Sequence, residues 1–366
     1  LVHPSLLQPY EVNGKLLVFN VEGLYRIDGT PEGTTLIKAG RTDAITHISE
    51  VINDKLLFAM INASGGSDLW SSDGTPEGTT LLAALNSSSS AYIDWPTRIG
   101  DRLFFAASSD VGRSLWVTDG TLEGTRIVTT RSASYPMAAI GDTVFFFSYT
   151  AEGARELWQT DGTPEGTRLV ADGLPQNAHM PTNVDGTLFF FEAKYPYNLW
   201  KSDGTAQGTV KVTDVYLEFS SSLRMVPMGK NAFFINYASE TGVEVWKSDG
   251  TAAGTTLLKD IAAGNYGSEP RELMRVGDKL LFWTTSGGSG PSGSRVIWQS
   301  DGTTAGTTQI DSMKAFSGLL YNGDFTISGD SLFFVSTSDG YLHELWSIPL
   351  SFFSSGHSVF LPGIQS

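Results

Sequence analysis

The sequence predicts an all-β chain folded as a single eight-bladed β-propeller of four-stranded antiparallel blades, and three observations carry that expectation. An aromatic residue recurs every 42 to 52 residues, at Tyr25, Trp70, Trp116, Trp158, Trp200, Trp246, Trp298 and Trp346. Seven of these eight aromatics are followed three residues on by Asp-Gly-Thr and then by Gly-Thr, as in Asp73-Gly74-Thr75 and Gly78-Thr79. The segments between are rich in Val, Leu, Phe, Trp and Thr, with no long capped stretch of helical periodicity. A period of roughly 40 to 50 residues fits propeller blades or helical arrays, and β-rich runs separated by Gly turns select blades.

Each unit divides into four short apolar runs. The first ends at a tight turn: Asn13-Gly14, Asn53-Asp54, Gly100-Asp101, Gly141-Asp142, Asp185-Gly186, Gly229-Lys230, Gly277-Asp278 or Gly329-Asp330. Gly, Asn and Asp suit such hairpins because they tolerate positive φ. The second run is Leu16 to Phe19 in the first unit, with Leu103 to Phe105, Val144 to Phe147, Leu188 to Phe191 and Leu332 to Val335 in others. The third carries the Leu-Trp pair, and the fourth follows Gly-Thr, as in Thr80 to Leu82, Arg168 to Val170 and Thr256 to Leu258. The units run approximately over 1–40, 41–86, 87–130, 131–174, 175–215, 216–262, 263–313 and 314–366, and together they form one domain. For the last fourth strand there are two candidates, His357 to Pro362 and, by pairing of the termini, Leu1 to Ser5.

Adjacent large apolar residues, such as Phe104-Phe105 and Leu157-Trp158, break the alternation of a strand with one wet face. They predict sheets covered on both faces, as stacked blades are. The repeated Trp is therefore expected in the packing between blades, and Trp283, at the end of a second strand, is expected to be buried.

The frame Glu-Leu-Trp-x-x-Asp-Gly-Thr, complete at Glu156 to Thr163, resembles the bacterial ELWxxDGT-repeat family. That resemblance covers almost the whole chain. It implies a secreted or surface-displayed β-propeller and supplies no catalytic residues. The frame departs from the pattern at Tyr25, at Ala206-Gln207, Ala252-Ala253 and Thr304-Ala305, and at Ser347-Ile348-Pro349, where the turn is missing.

Composition narrows the function further. The chain has no Cys, so thiol catalysis, disulfides and Cys-ligated metals are excluded. It starts at Leu1 with neither Met nor a signal segment and reads as a processed mature protein or a fragment. No apolar stretch approaches the roughly 20 residues of a membrane-spanning helix. A net charge of −15 argues against nucleic acid, whose phosphates call for a basic surface.

Part of that charge lies in the repeated turn, at Asp28, Asp73, Asp119, Asp161, Asp203, Asp249 and Asp301. These aspartates have a structural reading, as acceptors for backbone N–H groups of the Gly-Thr turn. They also have a functional one, as ligands of Ca²⁺, which takes several oxygens. One carboxylate per turn favours the structural reading, and no other cofactor is indicated.

In an up-and-down blade the regular turns share one end, and the second-to-third and blade-to-blade connections share the other. The latter connections differ in every unit: Ala63 to Asp68, Ser108 to Arg113, Tyr149 to Arg155, Glu192 to Tyr197, Ala238 to Gly242 and Ser286 to Ser294. Recognition is expected there, because rigid scaffolds carry binding on variable loops. The candidate contacts are Tyr92, Asp94 and Trp95; Tyr135; His179; Tyr195 and Tyr197; and Tyr266 with Glu269 and Arg271. Aromatic rings give large contact area at small entropic cost.

The five His residues show no metal-ligand spacing, and no nucleophile elbow, P-loop or dinucleotide fingerprint appears. The leading expectation is thus a non-catalytic extracellular or cell-surface module. It would contact protein or polymer partners through the variable face, as an oligomer or as part of a larger assembly. A carbohydrate-binding propeller is the first alternative. A polysaccharide hydrolase or lyase, with carboxylates drawn from separate blades, is the second.

Overall fold

A computed structural model describes residues 9–20, 22–40, 49–86, 93–110, 112–192, 197–216, 224–285, 295–310, 326–337 and 343–351. The strands form eight antiparallel sheets in strict sequence order, seven of four strands and one of three among the described residues. This is the up-and-down blade arrangement of a β-propeller. Blade 1 holds β1 to β4 (Tyr10–Val12, Lys15–Asn20, Gly23–Ile27, Thr35–Ala39), and blade 2 holds β5 to β8 (Ser49–Ile52, Lys55–Ile61, Ser67–Ser72, Thr80–Asn86). Blade 3 holds β9 to β12 (Ile93–Ile99, Arg102–Ser109, Gly112–Thr118, Arg126–Thr129), and blade 4 holds β13 to β16 (Ser134–Ile140, Thr143–Tyr149, Arg155–Thr160, Arg168–Leu174). Blade 5 comprises β17 to β20 (Ala178–Val184, Thr187–Glu192, Tyr197–Ser202, Val210–Val215). Blade 6 comprises β21 to β24 (Val226–Met228, Asn231–Ala238, Gly242–Ser248, Thr256–Leu257). Blade 7 comprises β25 to β28 (Arg271–Val276, Lys279–Thr285, Arg295–Ser300, Thr308–Gln309), and blade 8 comprises β29 to β31 (Thr326–Ser328, Ser331–Thr337, His343–Pro349). Both candidates for the last fourth strand lie outside the described residues.

The chain divides into two compact units, Leu1–Pro181 with Gly204–Ala206, and Thr182–Asp203 with Gln207–Ser366. Blades 1 to 4 lie in the first unit and blades 6 to 8 in the second.

The first hairpins follow their turn residues. Asn13-Gly14, Asn53-Asp54 and Asp185-Gly186 have positive φ at both positions, as a type I′ turn requires. In the other five, Gly100, Gly141, Gly229, Gly277 and Gly329 supply positive φ at the first position only, the place where a type II′ turn needs Gly.

Blades pack face to face, and neighbouring residues on one strand serve opposite neighbours. Phe105 joins Ile52, Leu57, Leu69 and Leu82 of blade 2 in one cluster, while Phe104 joins Val144 and Phe146 of blade 4 in another. The same arrangement links blade 1 with blade 2, through Leu17, Phe19, Leu56 and Phe58, and blade 6 with blade 7, through Val226, Phe233, Leu280 and Phe282. The unbroken apolar runs are explained by this two-sided burial. Trp116 and Trp283 are buried, and Trp70, Trp158 and Trp298 pack partly buried against these clusters.

Candidate functional site

The repeated turn is built as a closed set of hydrogen bonds. In six copies Asp Oδ1 accepts the backbone N–H of the following Thr at 2.8 to 2.9 Å and the hydroxyl of the same Thr at 2.6 to 2.8 Å. That Thr Oγ1 in turn accepts the N–H of the second Gly at 2.9 to 3.0 Å. The Ser or Thr preceding the Asp contacts the hydroxyl of the last Thr at 2.7 Å in blades 2 to 7. Both glycines are required. The first has positive φ in all seven copies, from 84° to 93°. A Cβ on the second would overlap the Asp carboxylate in all seven, including Gly208 on Asp203.

The turn also clamps one blade to the one before. Lys15 Nζ donates to the carbonyl of Asp73, Asn53 Nδ2 to that of Asp119, Arg102 to that of Asp161, and Lys247 Nζ to that of Gly302. The Thr hydroxyl, more than any other group, holds Asp28, Asp73, Asp161, Asp249 and Asp301 below the ordinary carboxylate value of 3.8. In Asp119 burial opposes this most strongly, yet the Thr121 bonds still lower its pKa. A carboxylate with a depressed folded pKa stabilises the fold above its unfolded pKa, and that contribution is lost as the pH falls through the folded value. Each carboxylate is therefore engaged inside its own turn.

Of the ten variable-face candidates, Tyr92 and Tyr195 lie outside the described residues, as do the side chains of Asp94, Trp95 and Tyr135. His179 is half-buried on β17, its Nδ1 3.1 Å from the carbonyl oxygen of Asn177. Tyr197 departs from the expected loop: it opens β19 and is buried, and burial raises the pKa of its phenol. Tyr266 and Glu269 share one loop, and Arg271 begins β25 beyond it.

That loop is tied to β23 by several hydrogen bonds. Glu244, fully buried on β23, accepts the N–H groups of Ile261 (3.2 Å), Ala262 (3.1 Å) and Ser268 (3.0 Å) and the hydroxyl of Ser268 (2.6 Å). Burial pushes its carboxyl pKa up, and the four hydrogen bonds oppose the shift. A parallel bridge joins Val243 to Gly267, with Val243 N–H donating to Tyr266 and Glu269 N–H to Val243. Gly242 and Gly267 permit this approach, since a Cβ on either would overlap the backbone of the other segment. The Tyr266 side chain is 86% exposed.

On the other side of the same hairpin, Tyr216 N–H donates to Asn236 Oδ1 at 2.6 Å and Tyr237 N–H to the Tyr216 carbonyl at 2.8 Å. Tyr216 and Tyr237 both remain exposed. Tyr216, Asn236, Tyr237 and Trp246 escaped sequence reasoning, which treated Trp246 only as a repeat position. The run Asn236-Tyr237 followed by a short polar turn was the available signal.

No family model matches this sequence, and no curated protein matches it. Among solved structures the chain is similar to prolyl oligopeptidase B from Galerina marginata, at 10% identity and a TM-score of 0.50, over 83% of this chain and 48% of that one. It is also similar to the computationally designed protein Ika8, at 12% identity and a TM-score of 0.47, over 95% and 98% of the two chains. A third likeness is to the β-propeller domain of the Trilobed protease from Pyrococcus furiosus, at 10% identity and a TM-score of 0.42, over 70% and 82%. At 10% identity the first of these likenesses speaks to fold alone.

Proposed function

We propose that this chain is a non-catalytic recognition module, working outside the cell or at its surface, that contacts a macromolecular partner through the variable end of blade 6. One observation carries the reading. A buried carboxylate with four hydrogen bonds ties down a loop, and that loop carries a tyrosine 86% exposed to solvent. Burying a carboxylate is costly, and a loop ordered in advance lowers the entropic cost of association. Exposed tyrosine is a residue type typical of contact surfaces. The resemblance in the repeat frame supports an extracellular setting, with which the absence of Cys is compatible.

A photo-crosslinking residue at Tyr266 or Glu240, displayed on cells of the native source, is expected to trap the same macromolecule. The same residue at Leu122, in the regular turn of blade 3 and also exposed, is expected to trap none. Equal labelling from all three positions, or none from any, would count against the proposal.

A further inference from the structure

A cleft of about 410 Å³ opens between the outer strand of blade 5 and the second and third strands of blade 6. Its walls bring together Asp214, Tyr216, Asn236, Tyr237, Glu240 and Trp246. Three of these are aromatic, and two of the three, Tyr216 and Tyr237, keep 42% and 36% of their surface exposed. Asn236 is almost wholly buried, and its carbonyl oxygen is committed to the Tyr216 N–H, so the amide is fixed in orientation. Asp214 accepts from Lys211 Nζ at 2.5 Å, which holds one carboxylate at the mouth. Thr213, Ser239 and Thr255 add hydroxyl groups.

The chemistry of this lining distinguishes between ligands. Its aliphatic lining is small, Val215 being buried in the wall and Ala238 a single methyl group, so the apolar surface it presents is mostly aromatic. A pyranose ring has a C–H face that suits flat aromatic surfaces and a rim of hydroxyls that both donate and accept. Carboxylate, amide and hydroxyl groups satisfy such a rim in both senses. Small-ligand sites commonly combine aromatic walls with a few placed polar groups. Lys211 offsets the charge of Asp214, so Glu240 leaves the local field negative and disfavours anionic sugars.

We propose that this cleft binds a neutral hexose unit of an extracellular glycan, with Tyr216 and Tyr237 against the ring and Asp214 and Glu240 taking its hydroxyls. The inference rests on the variable end of blade 6 being a recognition surface, and it adds the chemical class of the ligand.

The test is a titration of the intact protein with cellopentaose, maltopentaose and chitopentaose, and with a galacturonic acid pentamer as the anionic control, followed by calorimetry and tryptophan fluorescence. Saturable binding of at least one neutral oligosaccharide and none of the acidic one is expected. Tyr237→Ala and Tyr216→Ala should each weaken binding about tenfold or more, equivalent to about 1.4 kcal/mol, at an unchanged melting temperature. Tyr237→Phe, which keeps the ring, should retain most of the affinity. No saturable binding of any neutral oligosaccharide, or binding indifferent to both alanine variants, overturns the proposal. A null sugar titration with specific crosslinks from Tyr266 would remove the glycan and leave the recognition reading. Sugar binding without crosslinks would keep the cleft and remove the macromolecular contact at the loop.

Discussion

Blades 4 and 6 share one sequence frame and use its first residue in opposite ways. In blade 4, Glu156 turns to its own strand: Oε2 accepts from Trp158 Nε1 at 2.8 Å and pairs with Arg131 at 3.1 Å, and Arg131 lies 4.1 Å from the centre of the Trp158 ring. In blade 6, Glu244 turns away from Trp246, whose Nε1 is buried without a partner, and gathers the loop that carries Tyr266. The fourth strands differ accordingly. Blade 4 pairs from Gln159 to Arg155 along Arg168–Leu174, whereas in blade 6 Lys247 and Trp246 pair with Thr256 and Leu257, Leu258 N–H adds one bond to the Val245 carbonyl, and the strand ends there. A side chain that closes a regular blade in one repeat becomes, in another, the anchor of an irregular surface. The repeat supplies the residue, and what lies within reach of it decides its work.

The widest test of what the two blades hold in common is the second turn glycine. Gly166→Ala in blade 4 and Gly254→Ala in blade 6 should each expel the Asp carboxylate from its turn and cost roughly 1 to 3 kcal/mol, from the clash and the loss of several exposed hydrogen bonds. Denaturant unfolding should give similar values for the two. A loss in one blade only would break the claim that the turn is one device repeated.

Glu244 separates the blades. Glu244→Ala leaves three N–H groups and a hydroxyl without their acceptor and should cost about 2 to 4 kcal/mol, with hydrogen exchange rising over residues 261 to 268. Glu244→Gln retains an amide oxygen and carries no buried charge, so a change within about 1 kcal/mol is expected. Because the folded pKa of Glu244 is raised, its ionisation weakens the fold as the pH climbs from the ordinary value of 4.5 through the folded one. Glu244→Gln should therefore gain on the wild type across that window. A variant that loses ground there would show that the four hydrogen bonds outweigh burial.

The smallest effect is expected in blade 4. Arg131 is 44% exposed in its pair with Glu156, so solvent screens the ion pair, and Glu156→Gln should cost at most about 1 kcal/mol. Trp158 fluorescence should shift while the loops stay protected from exchange. A loss as large as that of Glu244→Ala would erase the distinction between the two blades.

The architecture was legible because every blade repeats the same local chemistry. Asp and Thr form the turn within eight residues, the paired Gly, Asn and Asp residues set the first hairpins, and runs such as Phe104-Phe105 announce two buried faces. The recognition surface was only partly legible. Tyr266 was readable as an aromatic in a variable loop, but nothing near it in sequence reveals that Glu244, 22 residues earlier, holds the loop in place. Tyr197 misled because the residue that opens a strand cannot be told from the last residue of a loop by type alone.

The sequence by itself determined the blade, the turn and their order, because those depend on hydrogen bonds and side-chain alternation spanning a few residues. Only the tertiary structure decided which way each frame glutamate points and which aromatics share a cleft. Those outcomes depend on packing between segments that no local pattern brings together: Tyr216 meets Tyr237 through one backbone bond and the Asn236 side chain, and Glu244 meets Ser268 through the close approach of Gly242 and Gly267.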